Sequence, residues 1–338
     1  MVDSIRNAPD DSSVKPASAN DTISFAFAGD IMMGTIVPRI YLPPNDGKNL
    51  FDDVKDILAS ADIAAGNLEG TVFDGPANSK KLGPNSYAFR TPASYVSNLV
   101  DAGFDFLGVA NNHANDFGPT GRNATQENLK KAGIAYAGTR GVCESAVLKR
   151  GDLTIGFTQF GHNNGTLSIL DYEELKRVVK ELDAKCDIVV VGFHGGAEGK
   201  AYAHVPHRDE TAFGERRGNV EKFAHTAIDA GADIVFGHGP HVPRAVELYN
   251  DRIIFYSLGN FCTPYQMNLS GISGYAPLPV VNVDKSGKFL NGKIHSFIQR
   301  SGIGPRMDST NSVAAFMRTL SLSDFPGSRL DISTDGSI

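Results

Sequence analysis

The stretch Ile23-Ser24-Phe25-Ala26-Phe27-Ala28-Gly29-Asp30 decides the reading of the chain, because a mostly apolar, strand-forming run passes directly into a Gly-Asp pair. It predicts a buried strand closed by a turn, with an acidic side chain at its C-terminal end. The same event recurs downstream. A short strand at 62–65 ends in Gly66-Asn67-Leu68-Glu69, one at 104–110 ends in Asn111-Asn112-His113, and one at 187–193 ends in His194. Residues 233–236 run into Gly237-His238, with His241 close behind.

Between these strands, apolar side chains fall at helical spacing. Phe51, Val54, Ile57 and Leu58 mark a helix over 50–59, and similar patterns cover 93–102, 120–132, 172–184 and 220–230. With a further strand at 154–160, the alternation predicts a sheet faced by helices, and strands at 244–248, 252–257 and 279–283 suggest a second, partly antiparallel sheet. The expected fold is a four-layer α/β/β/α sandwich over residues 22–300. Residues 1–21 are polar and read as disordered, while 301–338, rich in Ser, Gly and Asp, read as a loosely held C-terminal extension.

The chain has 338 residues, 41% hydrophobic and 21% charged, which suits a globular protein with a sizeable core. A net charge of -6, with basic runs no longer than Lys80-Lys81 and Arg216-Arg217, excludes a nucleic-acid footprint. A small anionic substrate remains open, since a bound metal can supply positive charge locally. Cys143, Cys186 and Cys262 form no metal or disulfide pattern and read as reduced thiols. The polar start contains no signal or anchor segment, so a cytoplasmic protein without membrane contact is expected.

Strand C-terminal ends in open α/β sheets share one edge, where ligand sites form. Asp30, Glu69, Asn112, His113, His194, His238 and His241 would therefore converge. Taken singly, Asp30 or Glu69 could cap a helix, any histidine could be structural, and Asn111 or Asn260 could serve a turn. Together, carboxylate, amide oxygen and imidazole suit one or two divalent ions such as Mn, Zn, Fe or Ni. Two ions bridged by a carboxylate can bind an ester oxygen and generate a hydroxide nucleophile near neutral pH.

The stretches Gly29-Asp30-Ile31-Met32-Met33-Gly34, Asn67-Leu68-Glu69-Gly70, Asn111-Asn112-His113-Ala114-Asn115-Asp116, His194-Gly195-Gly196-Ala197-Glu198, Gly237-His238-Gly239-Pro240-His241-Val242 and Ser257-Leu258-Gly259-Asn260-Phe261 resemble the ordered motifs of the CapA-like, poly-γ-glutamate capsule family of calcineurin-like metallophosphoesterases. The resemblance implies that Asp30 and His241 hold a first ion, that Glu69 bridges, and that Asn112, His194 and His238 hold a second. It also makes His113 a proton donor, with Asp116 placed to orient it. Three departures stand out. Met32 occupies the position where the broader pattern has His, Gly195 replaces a common Trp, and the segment 204–217 is longer than its counterpart.

Arg90, Glu198 and His204 are candidate substrate-binding residues, although Arg90 could equally sit in a surface salt bridge and Glu198 could support a ligating histidine. The expected activity is metal-dependent hydrolysis of a small-molecule phosphate ester, with His113 protonating the leaving oxygen. Two alternatives stay open: cleavage or transfer at a γ-glutamyl or peptide amide, and a non-catalytic assembly role in capsule synthesis. A proton donor beside the ligands favours an enzyme, because a structural metal needs none.

Overall fold

The computed structural model describes residues 22–83 and 86–338; the expectation for residues 1–21 lies outside the described residues. Two mixed sheets pack face to face. The first runs Gly304–Met307, Phe289–Arg300, Tyr275–Asp284, Thr22–Ile31, Ile63–Leu68, Phe106–Gly108, Ala135–Ala137, with Asn260–Cys262 paired to the end of Thr22–Ile31. The second runs Val246–Tyr249, Arg252–Phe255, Ile234–His238, Ile188–His194, Leu153–Gly161, Ser145–Arg150, with Leu167–Ser168 beside Leu153–Gly161. The central strands of both pair in parallel; Tyr275–Asp284, Phe289–Arg300 and Gly304–Met307 join the first sheet, and Val246–Tyr249 and Ser145–Arg150 the second, by antiparallel pairing, while Ala135–Ala137 closes the first in parallel. Buried on both faces, Ile188–His194 and Ile234–His238 read as nearly continuous apolar runs, as central parallel strands should.

Phe27 meets Phe236 at 4.9 Å between ring centroids and Phe106 stacks on Phe157 at 4.4 Å, so these pairs join the two sheets. Helices Lys55–Ser60, Val96–Ala102 and Gly118–Lys131 cover the outer face of the first sheet through Leu58, Leu99 and Leu129. Tyr172–Asp183 and Val220–Asp229 cover the second. Each of those two starts at a residue whose side chain accepts a backbone N–H, Asp171 from Glu174 and Asn219 from Lys222, as the sequence pattern requires. The four-layer α/β/β/α sandwich is the observed fold.

Two expectations differ from the structure. The 279–283 strand belongs to the first sheet, antiparallel to Thr22–Ile31, so strand chemistry identified the element but not its partner. Residues 301–338 are packed rather than loosely held. Gly304–Met307 extends the first sheet, and helix Ser312–Asp324 places Ala314 and Met317 in the core between the sheets. Ser321 accepts a hydrogen bond from the Val246 N–H, and Gly292 and Ile338 exchange backbone hydrogen bonds of 2.8 and 3.0 Å. Serine here satisfies backbone groups inside a packed unit. Among the described residues, no helix is long and apolar enough to cross a membrane.

Candidate metal centre

The parallel strands of both sheets end along one edge of the sandwich. Asp30 lies at the end of Thr22–Ile31, Glu69 directly follows Ile63–Leu68, and Asn112 and His113 occupy the turn after Phe106–Gly108. From the second sheet, His194 and His238 are the last residues of neighbouring strands and pair in register. His241 follows in a turn, at a φ of 57°. The site thus straddles two sheets, whereas the sequence reading placed it on the edge of one.

Asp30, Glu69, His194 and His241 bring ligand atoms within 4.8 Å of one another. Asp30 Oδ2 is 2.9 Å from His241 Nδ1, and its Oδ1 is 3.2 Å from His238 Nδ1 and accepts from Asn67 at 2.9 Å. Asn67 is itself fixed by hydrogen bonds from Asn111 and Gln159. Glu69 Oε1 lies 3.6 Å from both His194 Nε2 and His241 Nε2. Burial opposes ionisation of Asp30, but bonds to His238 and His241 outweigh it and hold the carboxyl well below its usual range. Burial drives Glu69 up and His194 down, each away from its charged form. Burial also works against the charge on His241, yet Glu69 and Asp30 raise that imidazole to about 10.

Both oxygens of Glu69, both ring nitrogens of His194, Nε2 of His238 and Oδ1 of Asn112 are buried without a hydrogen-bond partner among the described residues. Each such atom costs about 1–3 kcal/mol if left unsatisfied. A divalent cation would satisfy these donors and carry the positive charge two buried carboxylates call for. The residues fit a metal ion.

His113 is 7% exposed, and its Nδ1 lies 2.7 Å from Asp116 Oδ2. Asp116 also accepts from the Phe89 N–H at 2.7 Å and pairs with Lys80 at 2.6 Å. The ring packs against Phe89 with centroids 4.2 Å apart, which leaves Nε2 3.9 Å from Glu69 Oε1. Burial lowers the His113 pKa, and Asp116 offsets only part of that.

A cavity of about 960 Å³ opens over this cluster, with Asn112, His113, His241 and Glu198 in its lining. Glu198 bonds to Arg217, which is 2% exposed and also pairs with Glu215 at 3.1 Å; Glu215 in turn lies 3.3 Å from His162. Sequence reasoning missed Arg217 and His162, although His162 directly follows the strand Leu153–Gly161 and so carried the same strand-end signal as Glu69. Arg217 sits on the ribbon Glu210–Ala212/Glu215–Gly218, inside the long segment noted above. That ribbon and Ile169 together crowd Gly195: a Cβ there would lie 2.3 Å from the Ile169 side chain and 2.8 Å from the Arg217 carbonyl.

Arg90 and His204 are not brought to the cavity. Arg90 donates to the Gly75 carbonyl at 2.6 Å and lies over the Phe73 ring, bracing its own loop. His204 is 2.6 Å from Asp324, at the end of the C-terminal helix.

A family model described as bacterial capsule synthesis protein PGA_cap matches residues 24–265. The chain is 33% identical to the PGA biosynthesis protein CapA of Bacillus subtilis over 258 residues, 72% of this chain and 64% of that protein. It is 31% identical to the capsule biosynthesis protein CapA of Bacillus anthracis, over 72% of this chain and 60% of that protein. The matches thus span less than two thirds of those relatives. A phosphatase structure from Mycoplasma pneumoniae superposes with a TM-score of 0.53 at 14% identity, covering 83% of this chain and 95% of the other. Sequence and architecture agree that the chain belongs to the PGA_cap family, on the calcineurin-like metallophosphoesterase fold.

Proposed function

We propose that the chain is a metal-dependent hydrolase of a small-molecule phosphate ester, using one or two divalent ions (Mn, Zn, Fe or Ni) held by Asp30, Glu69, Asn112, His194, His238 and His241. The observation that carries this reading is the His113–Asp116 pair beside the unpaired donor cluster on the cavity. When bound, the ions supply Lewis acidity and a nucleophile from water near neutral pH.

The chain's own residues do the rest. Asp116, fixed by Phe89 and Lys80, takes the Nδ1–H of His113 and so directs Nε2 toward the cluster. A phosphate dianion arriving there favours protonation of Nε2, which then donates to the leaving oxygen. The ionic side chains of the wall largely neutralise one another: Lys80 with Asp116, and Arg217 with Glu198 and Glu215. Such a wall suits a leaving group of little charge better than a long polyanion.

A second reading has its own support, since the relatives' names place them in PGA and capsule biosynthesis. It assigns the same centre to a γ-glutamyl or peptide amide. A capsule assembly factor is the third reading, and it gives the His113–Asp116 pair no task. The test is to strip the protein of metal, reload it with Mn, Zn, Fe or Ni, and assay phosphate esters beside γ-glutamyl amides. Metal-dependent phosphate release is the expected result. Amide cleavage without phosphate release would transfer the assignment to the second reading, and full loading without turnover to the third.

A further inference from the structure

We infer that Asn260 is a ligand of the metal centre, its side-chain oxygen standing in for the nitrogen donor that Met32 cannot supply. The inference rests on the metal-centre reading above and adds to it a residue from the strand Asn260–Cys262.

That strand is seated against the first one by an unusually close backbone approach. A Cβ at Gly29 would lie 2.2 Å from the Gly259 carbonyl, so only glycine permits the contact, and the Asp30 N–H donates to that carbonyl at 2.8 Å. Asn260 consequently pairs with Asp30 in parallel register, and the Met32 N–H finds Cys262 O at 2.9 Å. Paired residues of neighbouring strands project from the same face of a sheet. Asn260 therefore shares the face from which Asp30 reaches His238 and His241.

The orientation of its amide is set by its partners. The Nδ2 group donates to the carbonyls of His241 at 3.2 Å and Ser273 at 3.1 Å, which uses both of its hydrogens and identifies the other atom as the oxygen. That oxygen is buried and has no hydrogen-bond partner among the described residues, and it belongs to a residue that is 1% exposed and borders the cavity. A buried acceptor without a partner is unfavourable unless something completes it. An amide oxygen on the Asp30 face, tied to the backbone of His241, is a suitable hard donor for a divalent ion.

The test titrates Mn²⁺ alone into the full, metal-stripped chain and follows free Mn²⁺ by its electron paramagnetic resonance signal, with melting of the metal-free protein as a control for folding. Asn260→Ala should weaken Mn²⁺ binding by at least about tenfold while melting near the wild type. Asn260→Asp keeps an oxygen but loses both amide donors, and it should bind Mn²⁺ as tightly as the wild type or more so. If Asn260→Ala binds like the wild type, the oxygen serves something other than the ion and the inference is overturned. The same holds if Asn260→Asp loses as much as Asn260→Ala, since the bonds to His241 and Ser273 would then be the cause. Should Asn260→Ala melt early, Asn260→Asp decides alone. A wild-type chain that binds no Mn²⁺ would overturn the metal-centre reading itself, an outcome distinct from failure at Asn260.

Discussion

Replacing His113 by Asn tests the proposed proton donor while sparing the fold. The substitution removes an imidazole whose Nδ1 lies 2.7 Å from Asp116, but Asp116 keeps the Phe89 N–H at 2.7 Å and Lys80 at 2.6 Å. The carboxylate is not stranded, so the loss should fall on chemistry rather than stability. A positioned general acid contributes about 10²–10⁴ in rate, or roughly 3–5 kcal/mol of barrier. An alkyl phosphate, whose leaving oxygen needs the proton, should lose that factor. A nitrophenyl phosphate leaves as a stable anion and should lose less than about tenfold. The assay is initial phosphate release from both esters by protein whose metal content has been measured. Equal losses on the two esters would refute proton donation in favour of positioning or charge stabilisation, and lost metal would make His113 a ligand.

Three further outcomes follow from the same geometry. Glu69→Gln should reduce metal content and turnover far more than Glu198→Gln, because Glu69 sits within 3.6 Å of two histidines while Glu198 bonds Arg217 at the cavity wall; metal analysis beside initial rates checks this. Arg244→Met leaves Glu210 buried without its two-pronged partner and strips a donor from the Ala197 and Tyr202 carbonyls, which should cost about 3–5 kcal/mol in urea unfolding. Asp233 is pushed up to about 6 by burial, against its bonds to Val189 and Arg252. Because its ordinary value is about 3.9, the folded state holds a proton the unfolded chain releases, so stability should fall as pH rises between about 4 and 6. Asp233→Asn should flatten that part of the stability–pH profile.

The strand-end residues were legible because each apolar run stops at a polar side chain, and a sheet brings such ends to one edge whatever its strand order. Asp30, Glu69, His194 and His238 needed no more than that. The partner of 279–283 was not legible, since a strand pattern is local and pairing is not. Helix Ser312–Asp324 was concealed by its serines, although Val313, Ala314, Met317 and Leu320 carry helical spacing. Arg90 and His204 were chosen for their chemistry without a positional signal, and the structure uses both elsewhere. Arg217 lay inside a segment from which His204 was chosen instead, and Asn260 read as a turn former because nothing local shows that its amide is committed to two carbonyls.

The most direct measurement is the rate of phosphate release as Mn²⁺ is added to metal-stripped protein, for the wild type and for His194→Ala. The account predicts no hydrolysis without metal, a rate that rises and saturates as the wild-type site fills, and a His194→Ala protein that remains folded but neither retains the ion nor turns over. Hydrolysis that persists after stripping, or that survives undiminished in His194→Ala, would contradict it.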